Sequence, residues 1–313
     1  MTYFIGVDGG ASKTAALVTD EKGRALGRGL AGPSNHLRVG IEEATRNIER
    51  AVNIALVEAG IAIRNVEYAY CGIAGSDHPA HRQKVIDSLK IFFPRGNFIV
   101  DTDARIALTG AIGFGAGVVI IAGTGSVAFG RNDAQDEARA GGWGPTLGDE
   151  GSGFWIAREG LSAIVRAHDG RGFATQMTDH LCNDYDMCQP EELPRFVYAA
   201  TTHVDDIAKY GRLVIEAANE GDDVARDILA RAGSELAECV LAVARKLHLT
   251  DSVFSVAYVG GAFHAGDLLL NPMRLRLRRD APGAELHPPQ REPVEGAALM
   301  AMRAAVMPRE GRV

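Results

Sequence analysis

One short pattern occurs twice in this chain of 313 residues. Residues 3–8 are a mostly apolar run, and four small residues and a lysine follow at 9–13 before a second β-rich run begins. About 114 residues later, an apolar run at 118–122 is followed by the small residues 123–126 and by another β-rich run. Each copy predicts a β-hairpin with a tight loop. The repetition therefore predicts two similar domains, each with a candidate phosphate-binding loop.

Composition and charge exclude several kinds of partner. Lys and Arg total 33 and Asp and Glu total 40, so the net charge is −7, and no basic block is present. Nucleic acids and anionic membranes are therefore not expected partners. No apolar run reaches the roughly 18 residues of a membrane span, and the first residues lack the features of a signal peptide. These patterns, with four cysteines and no CxxC pair, predict a cytoplasmic protein.

Hydrophobic periodicity predicts an α/β fold in which the first half alternates strands and helices and the part after the second hairpin is mostly helical. The predicted strands are 3–8, 14–19, 24–30, 68–73, 97–100, 118–122, 127–130, 138–140 and 254–259. The predicted helices are 41–59, 79–92, one that begins at Thr102 or Asp103, 152–168, 191–200, 203–219, 222–247 and 293–306. A Pro-rich crossover precedes the last helix.

The loop after the first strand is a candidate anion site. It has Ser12 where a Walker A motif has glycine before its lysine, and a strand follows it instead of a helix, so a P-loop is rejected. Backbone N–H groups of small residues in a hairpin loop can still form a nest for phosphate. The alternative is a glycine-rich turn that binds nothing, and the second loop makes this less favourable. The candidate phosphate-binding residues are Gly9, Gly10, Ser12, Lys13, Thr14, Gly123, Thr124, Gly125 and Ser126.

Two aspartates come at the carboxyl ends of predicted strands, where ligands bind in open α/β sheets. Asp8 could hold Mg²⁺ through water, although an Asx turn would also explain it. Asp103 could be a catalytic base, a helix N-cap, or both. Asp101 is a competing candidate for the base, and spacing alone does not decide between the two.

Three further segments are candidates for binding polar ligands. In the segment 141–153, six of 13 residues are glycine, and Trp143, Asp149 and Glu150 stand among them. This composition favours a loop that binds polyol hydroxyls, with a flexible linker as the alternative. Asn35 lies in a small-residue loop and offers an amide that suits a sugar hydroxyl. Gly260 and Gly261 follow a strand and would let an adenine or ribose approach the backbone.

In this order the motifs resemble the N-acetylglucosamine kinase branch of the BadF/BadG-type ATPase family, within the superfamily of actin, hexokinase and heat-shock chaperones. The motifs that carry the resemblance are Asp8-Gly9-Gly10-x-Ser12-Lys13-Thr14, Thr102-Asp103-Ala104, Ala122-Gly123-Thr124-Gly125-Ser126, Gly141-Gly142-Trp143-Gly144, Gly148-Asp149-Glu150-Gly151-Ser152 and Val259-Gly260-Gly261. The resemblance implies two ribonuclease-H-like domains with ATP in the cleft between them. The first would cover 1–114 with a returning helix at 292–313, and the second 115–291 with a helical insert.

The resemblance also implies roles for individual residues. Asp103 matches the catalytic aspartate, which would accept the proton of a sugar 6-hydroxyl as it attacks the γ-phosphorus of ATP. Asp8 would help to position Mg²⁺. The first and second small-residue loops would hold the phosphates, and Gly260 and Gly261 the adenosine. The positions that resemble the sugar site are Asn35, Trp143, Asp149 and Glu150.

Other functions remain open at this level. The motifs do not distinguish N-acetylglucosamine from glucosamine or glucose, and they do not locate a pocket for a 2-acetamido group. Some members of the family are ATPases that energise electron transfer and hold an iron–sulfur cluster through cysteines, but the four cysteines here have no cluster spacing. A nucleotide-dependent regulatory switch would need a further module, which the sequence does not indicate. A homodimer through the predicted helical insert, at 170–250, would be consistent with the pattern.

Overall fold

The computed structural model describes residues 1–185 and 187–306, and the chain divides into two compact units. Unit 1 consists of Met1–Phe114 and the C-terminal segment that begins at Pro289, and unit 2 consists of Gly115–Pro288. None of the helices in residues 1–185 and 187–306 combines the length and the hydropathy that a membrane span requires. The predicted α/β class is confirmed, since each unit is a mixed sheet covered by helices.

Unit 1 is built on a five-stranded sheet. Its strands are β1 (Tyr3–Gly9), β2 (Thr14–Asp20), β3 (Ala25–Ala31), β4 (Val66–Ile73) and β5 (Phe98–Asp101). They lie in the order β3-β2-β1-β4-β5, with β1, β2 and β3 antiparallel and β1, β4 and β5 parallel. The carboxyl ends of the three parallel strands therefore meet at one edge of the sheet.

Helices cover both faces of this sheet. They are α1 (His36–Val39), α2 (Ile41–Ala59), α3 (Pro79–Leu89), α4 (Asp103–Ile112) and α12 (Pro293–Val306). The apolar stripe predicted for α2 is buried, with Ile48, Val52 and Ala55 fully inaccessible to solvent. The helix ends at Gly60, whose φ of 67° is the left-handed conformation of a typical glycine C-cap.

The last helix, α12, packs on the sheet of unit 1. A Cβ atom added to Gly6 of β1 would lie 2.4 Å from the backbone nitrogen of Ala298 in α12, so only glycine allows this approach. Gly296 in turn lets α12 meet α4, since an added Cβ would lie 2.1 Å from the carbonyl oxygen of Ile106. The prediction for this helix extended to residue 313, and residues 307–313 lie outside those described.

Unit 2 repeats the sheet topology of unit 1. Its strands are β6 (Gly117–Ala122), β7 (Ser126–Arg131), β8 (Glu137–Gly141), β9 (Phe254–Val259) and β10 (Ala284–His287). Their order is β10-β9-β6-β7-β8, with the β6–β7 and β7–β8 pairs antiparallel and β6, β9 and β10 parallel. The repeated hairpin of the sequence is thus part of a repeated five-strand sheet.

The helices of unit 2 surround a large apolar core to which α10 contributes the most side chains. They are α5 (Gly153–His168), α6 (Met177–Tyr185), α7 (Leu193–Val197), α8 (Val204–Ala208), α9 (Gly211–Glu220), α10 (Asp223–Lys246) and α11 (Asp267–Asp280). The helix α10 agrees with the predicted 222–247, and its N-cap Asp222 accepts a hydrogen bond from the Ala225 N–H.

The prediction for unit 2 was wrong in several places. The single helix expected at 203–219 is two helices, because Tyr210 turns inward to stack on Tyr185, 4.3 Å between ring centroids, and Gly211 then packs against Gly153. The helix expected at 191–200 is the shorter α7, preceded by one 3₁₀ turn. Helices α6 and α11 and strand β10 were not predicted.

Two of the four cysteines are paired, although no CxxC spacing or disulfide framework predicted a pair. Cys182 and Cys188, six residues apart, form a disulfide at the end of α6. Cys71 in β4 is fully buried, and Cys239 in α10 is half-buried as a free thiol.

Candidate functional site

Strand ends in unit 1 meet at one level of the sheet. Asp8 of β1 and Asp101 of β5 both pair with Gly72 of β4, one on each side. Neighbouring strands lie about 4.8 Å apart, so the two aspartate backbones are about 10 Å apart across Gly72. Asp103 follows as the first residue of α4. Strand pairing therefore brings the candidate metal carboxylate and the candidate base to the same sheet edge.

Asp8 is a carboxyl group with perturbed ionisation. Burial, followed by the charge of Asp103, raises its pKa to about 6, and Lys13 opposes this while Glu292 adds to it. A divalent cation would relieve the repulsion between two neighbouring carboxylates. Carboxylate oxygens are also ligands that Mg²⁺ prefers. Residues 1–185 and 187–306 contain no cluster of three or more His, Cys, Asp or Glu side chains that could hold a metal alone. A Mg²⁺ ion at Asp8 would therefore keep waters or phosphate oxygens as its other ligands.

The first small-residue loop connects β1 to β2. The Gly10 N–H donates to the Lys13 carbonyl oxygen at 2.9 Å and closes the turn, and Ser12 and Lys13 are exposed. Thr14 is fully buried, and its hydroxyl oxygen lies 2.8 Å from Ser34 Oγ. The buried Thr14 side chain therefore anchors the loop to Ser34. The hydrogen-bond donors of Ser12 and Lys13 are exposed to solvent.

Asn35 lies directly against this loop. Its backbone N–H and that of Ser34 donate to the Gly10 carbonyl oxygen, at 3.1 and 3.0 Å. Its side-chain oxygen accepts the Leu37 N–H at 3.1 Å and caps α1. The amide nitrogen of Asn35 has no acceptor among the residues that the structure describes. An added Cβ at Gly9 would lie 2.3 Å from Ser34 Oγ, so glycine is required for this contact.

The structure separates the roles of Asp101 and Asp103. Asp101 is buried, and its Oδ1 accepts the Thr102 N–H at 2.7 Å. Its Oδ2 accepts the Tyr70 hydroxyl and Nη1 of Arg105, both at 2.6 Å. A carboxylate engaged by these donors on both oxygens is poorly suited to take a proton from a substrate. This observation favours Asp103 as the base, which spacing alone could not decide.

Asp103 is partly accessible at the N-terminus of α4. The N-cap of the helix is Thr102, whose hydroxyl accepts the Arg105 N–H at 3.4 Å, so the N-cap explanation of Asp103 was wrong. Asp103 Oδ1 accepts the Ala104 N–H at 3.0 Å. A carboxylate in the first turn interacts favourably with the helix dipole. The Asp103 side chain is thus oriented by the first turn of α4 and stays partly open to solvent.

In unit 2 the second small-residue loop and the glycine-rich segment are interwoven. The Gly153 N–H donates to the Gly123 carbonyl oxygen at 2.8 Å, and the Phe154 N–H to that of Thr124 at 3.3 Å. The Ser126 hydroxyl donates to the carbonyl oxygen of Glu150 at 2.8 Å. The two segments predicted to bind phosphate and sugar therefore form one surface in this unit.

Asp149 is the buried centre of that surface. Its φ of 60° is unusual for a residue other than glycine. Its side chain touches Gly125, where an added Cβ would lie 2.6 Å from Asp149 Oδ2. Desolvation raises the pKa of Asp149, although hydrogen bonds from the backbone N–H groups of Ser126 and Gly144 oppose the rise. Backbone strain of this kind is concentrated at functional sites.

Trp143 is 72% exposed although it is a large aromatic residue. Arg139 lies beside it, with the guanidinium carbon 5.9 Å from the ring centroid. Nη2 of Arg139 also donates to the Gly142 carbonyl oxygen at 2.6 Å and so restrains the loop. The indole thus offers an apolar face on a restrained loop, and Glu150 lies half-buried in the same segment.

The two glycines after β9 differ in their surroundings. Gly260 has a φ of 120°, and an added Cβ would lie 2.3 Å from the Ala122 carbonyl oxygen. Gly261 is exposed, and an added Cβ would meet nothing within 4 Å. Gly260 is therefore required by its contact with the strand that leads into the second loop, and Gly261 leaves open space for a ligand.

The sequence-predicted site residues thus form two groups, one within each unit. Unit 1 brings together Asp8, the loop of Gly9 to Thr14, Asn35 and Asp103. Unit 2 brings together the loop of Gly123 to Ser126, Trp143, Asp149, Glu150 and Gly260, with Gly261 beside them. Four residues that support the groups were missed: Tyr70, Arg105 and Arg139, described above, and Arg82, whose Nη2 lies 3.5 Å from Asp101 Oδ1. Tyr70 and Arg82 reach Asp101 from distant parts of the chain, so no local pattern marks them. Arg105 and Arg139 act over four and three residues, but none of the motifs in the sequence includes them.

Comparison with known proteins gives a consistent result. Residues 5–301 match the model of the BadF/BadG/BcrA/BcrD ATPase family. The N-acetylmuramic acid/N-acetylglucosamine kinase of Clostridium acetobutylicum is 30% identical over 301 residues, which cover 96% of this chain and 98% of that protein. The N-acetyl-D-glucosamine kinase of Dictyostelium discoideum is 30% identical over 310 residues, with 96% and 97% covered.

A solved structure is similar over nearly the same length. It is a protein of Chromobacterium violaceum that is provisionally assigned as an N-acetylglucosamine kinase, and it has a TM-score of 0.76 and 26% sequence identity. The match covers 96% of this chain and 98% of that one. The similarity therefore extends over both units rather than over one of them.

Proposed function

Because this chain belongs to the BadF/BadG/BcrA/BcrD ATPase family, we propose that it is an ATP-dependent kinase that phosphorylates the 6-hydroxyl of an amino sugar, with N-acetylglucosamine as the preferred acceptor. The observation that carries the proposal is the arrangement of Asp8 and Asp103 at one sheet edge, beside a loop of exposed donors. The kinases that share 30% identity with nearly the whole chain supply the acceptor class.

Asp103 acts as the general base. The proton of the sugar 6-hydroxyl passes to its carboxylate while the oxygen forms a bond to the γ-phosphorus, and the bond from phosphorus to the bridging oxygen of ADP breaks. General-base assistance typically contributes about 10²–10⁴-fold in rate. The partly open position of Asp103, and the engagement of both Asp101 oxygens, support this assignment.

Each unit contains groups that can neutralise phosphate charge. Bound Mg²⁺ would neutralise phosphate oxygens, and Asp8 would hold it through water. In unit 1, Ser12 and Lys13 contribute exposed donors, and in unit 2 the backbone of Gly123 to Ser126 offers N–H groups. Gly261 leaves room for adenosine next to this second loop. Phosphoryl transfer depends mainly on such positioning and neutralisation.

Each unit offers polar groups that suit sugar hydroxyls. The amide nitrogen of Asn35 donates to one hydroxyl, and the carboxylates of Asp149 and Glu150 accept from others. The exposed face of Trp143 packs against an apolar part of the sugar. The strained backbone and buried carboxylate of Asp149 support a role in binding, since its desolvation must be offset by hydrogen-bond donors.

Two alternatives are less well supported. Activation of an electron-transfer partner would need cysteines available for a cluster, but Cys71 is fully buried and Cys182 and Cys188 are bonded to each other. Glucosamine or glucose as the acceptor differs only at the 2-substituent, a difference that one side chain can decide by a few kcal/mol.

A coupled assay of ATP consumption across a panel of hexoses and amino sugars tests the proposal. N-acetylglucosamine should stimulate ATP consumption most, and ³¹P NMR should place the new phosphate on the 6-oxygen. Its 6-deoxy analogue is the matched control and should give no stimulation. If none of the sugars stimulates ATP consumption, the kinase assignment is wrong.

A further inference from the structure

We propose that Asp101 is a positioning residue for phosphoryl transfer, because it connects the turn that carries Asp103 to the loop that lies against Asn35. The inference rests on the proposed function and adds Asp101, Tyr70 and Arg82 to the residues that support the proposed site. Asp101 would act only through its neighbours, by fixing where the base lies relative to a sugar-binding amide.

The first connection runs from Asp101 Oδ2 to the start of α4. Oδ2 accepts Nη1 of Arg105 at 2.6 Å, and Arg105 lies in the first turn, two residues after Asp103. The Tyr70 hydroxyl donates to the same oxygen at 2.6 Å. The Tyr70 ring is 5% exposed and packs in an apolar cluster with Ile106 of α4. Asp101 Oδ2 therefore connects the end of β5 to the first turn of α4 and, through Tyr70, to the apolar cluster.

The second connection runs from Asp101 Oδ1 to the loop after β4. Nη2 of Arg82 lies 3.5 Å from Oδ1, and Nε of Arg82 donates to the Ser76 carbonyl oxygen at 3.0 Å. The neighbouring Gly75 touches Asn35, since a Cβ added to Gly75 would lie 2.9 Å from Asn35 Oδ1. Arg82 thus holds the segment against which the Asn35 side chain rests.

The burial of this network indicates that it mainly fixes the positions of the groups it joins, rather than adding stability. The Asp101 side chain is 4% exposed, and those of Arg82 and Arg105 are 30% and 32% exposed. A buried carboxylate adds little net stability over apolar residues of similar volume, but its hydrogen bonds fix directions that apolar packing leaves free. Displacing a reacting group by 1 Å costs about 100-fold in rate, so such fixing matters for transfer.

The two connections predict different kinetic effects. Tyr70→Phe removes one donor on the Asp103 side and keeps the packed ring, so kcat should fall about tenfold while the KM for N-acetylglucosamine stays within about twofold. Arg82→Gln releases the segment beside Asn35, so this KM should rise about tenfold with kcat within about threefold. Both are measured in the full chain with saturating ATP and Mg²⁺.

Matched variants separate positioning from general destabilisation. Tyr3→Phe removes a hydroxyl from the same sheet at the opposite end of β1, and Arg171→Gln removes an exposed guanidinium paired with Asp169. Both should keep the wild-type kcat and KM. Thermal unfolding verifies that each variant is folded at the assay temperature, and Arg82→Lys replaces Arg82→Gln if the latter does not fold.

The possible outcomes are distinct. Wild-type kcat and KM in folded Tyr70→Phe and Arg82 variants, or a Tm change without a kinetic one, would leave Asp101 with a structural role only and overturn the inference. Equal changes of kcat and KM in both variants would also overturn it. Failure of the proposed function has a different signature, namely a wild-type protein whose ATP consumption no sugar stimulates.

Discussion

The charge of Asp103 is, after burial, the largest influence that raises the pKa of Asp8, which reaches about 6. The two carboxylates reach the same sheet edge from strands on opposite sides of β4. They have different tasks in the proposed reaction, one at the metal and one at the attacking hydroxyl. Their mutual repulsion is greatest without a cation and would be relieved when a metal and phosphates bind.

Replacing the proposed base should remove turnover but not sugar binding. Asp103→Asn keeps the side-chain volume and cannot accept the proton, so kcat should fall about 10²–10⁴-fold. Isothermal titration should give a Kd for N-acetylglucosamine close to that of the wild type. The exposed Asp87→Asn on α3 is the control. A near-normal kcat for Asp103→Asn would remove this residue from the role.

The pKa of Asp8 predicts how activity depends on pH. Below about pH 6 the carboxyl becomes neutral and loses its attraction for the cation, so kcat/KM for ATP should decrease as the pH falls through this range. Raising the Mg²⁺ concentration should move the decrease to lower pH, because metal and proton compete for one group. An acidic limb that does not respond to Mg²⁺ would argue against a metal role for Asp8.

The same pKa predicts that Asp8→Asn stabilises the protein without ligands. The pKa of Asp8 is higher in the folded chain than its ordinary value of 3.8, so its ionisation costs stability as the pH rises from about 4 to about 6. Asp8→Asn should therefore raise the Tm by several degrees at pH 7.5 and have little effect near pH 4, as measured by calorimetry.

Asp20 provides a control of opposite sign. Although desolvation opposes it, hydrogen bonds from the Arg24 backbone and guanidinium lower the pKa of Asp20. Its contribution to stability is therefore present above its ordinary pKa and is lost on acidification. Asp20→Asn should lower the Tm at pH 7.5, with a difference that shrinks in acid. If Asp8→Asn also lowers the Tm at pH 7.5, the buried charge of the Asp8 carboxylate does not destabilise the folded protein.

Substitution by alanine should have different effects at Gly260 and at Gly261, the two glycines after β9. Gly260→Ala places a methyl group against the Ala122 carbonyl oxygen at a φ of 120°, so it should cost about 1–3 kcal/mol and lower the Tm by several degrees. Gly261→Ala meets open space and should keep the Tm, but its methyl group would crowd adenosine and raise the KM for ATP. An unchanged KM would place the nucleotide away from Gly261.

Trp143 should report sugar binding directly. Trp143→Ala removes a side chain that is 72% exposed, so the Tm should be unchanged while the KM for N-acetylglucosamine rises about tenfold. Only two tryptophans are present, and Trp155 is 8% exposed, so a blue shift of fluorescence on sugar addition would come from Trp143. Phe173→Ala, which removes another exposed aromatic residue, should change neither quantity.

Local patterns predicted the parts of the fold in which neighbouring residues act together. The two hairpins, their small-residue loops and the apolar stripe of α2 follow from periodicity over a few residues. In α11 the pattern is obscured, because Pro272 lies inside the helix and four arginines lie near it on the chain. Strand β10 has only four residues, and its pairing with β9 is what makes it a strand.

The candidate site shows the same limit. Glycine-rich segments and strand-end aspartates are visible in the chain, so most candidates could be named from it. The distinction between Asp101 and Asp103 depends on Tyr70, Arg82 and Arg105, which reach one carboxylate from separate elements. Likewise, the positive φ of Asp149 is imposed by contacts of a loop with a strand end, and no local pattern indicates it.

The docking of α12 against Gly6 has a consequence for biosynthesis. This helix covers the face of the first sheet that includes Phe4 and Tyr70, and it leaves the ribosome after every residue of unit 2. During translation, part of the apolar surface of unit 1 therefore stays exposed to solvent until unit 2 and α12 have been synthesised. During that interval the nascent chain is open to chaperones or to aggregation. The interval ends when α12 docks, where Gly6 allows its close approach to β1 and Gly296 its close approach to α4.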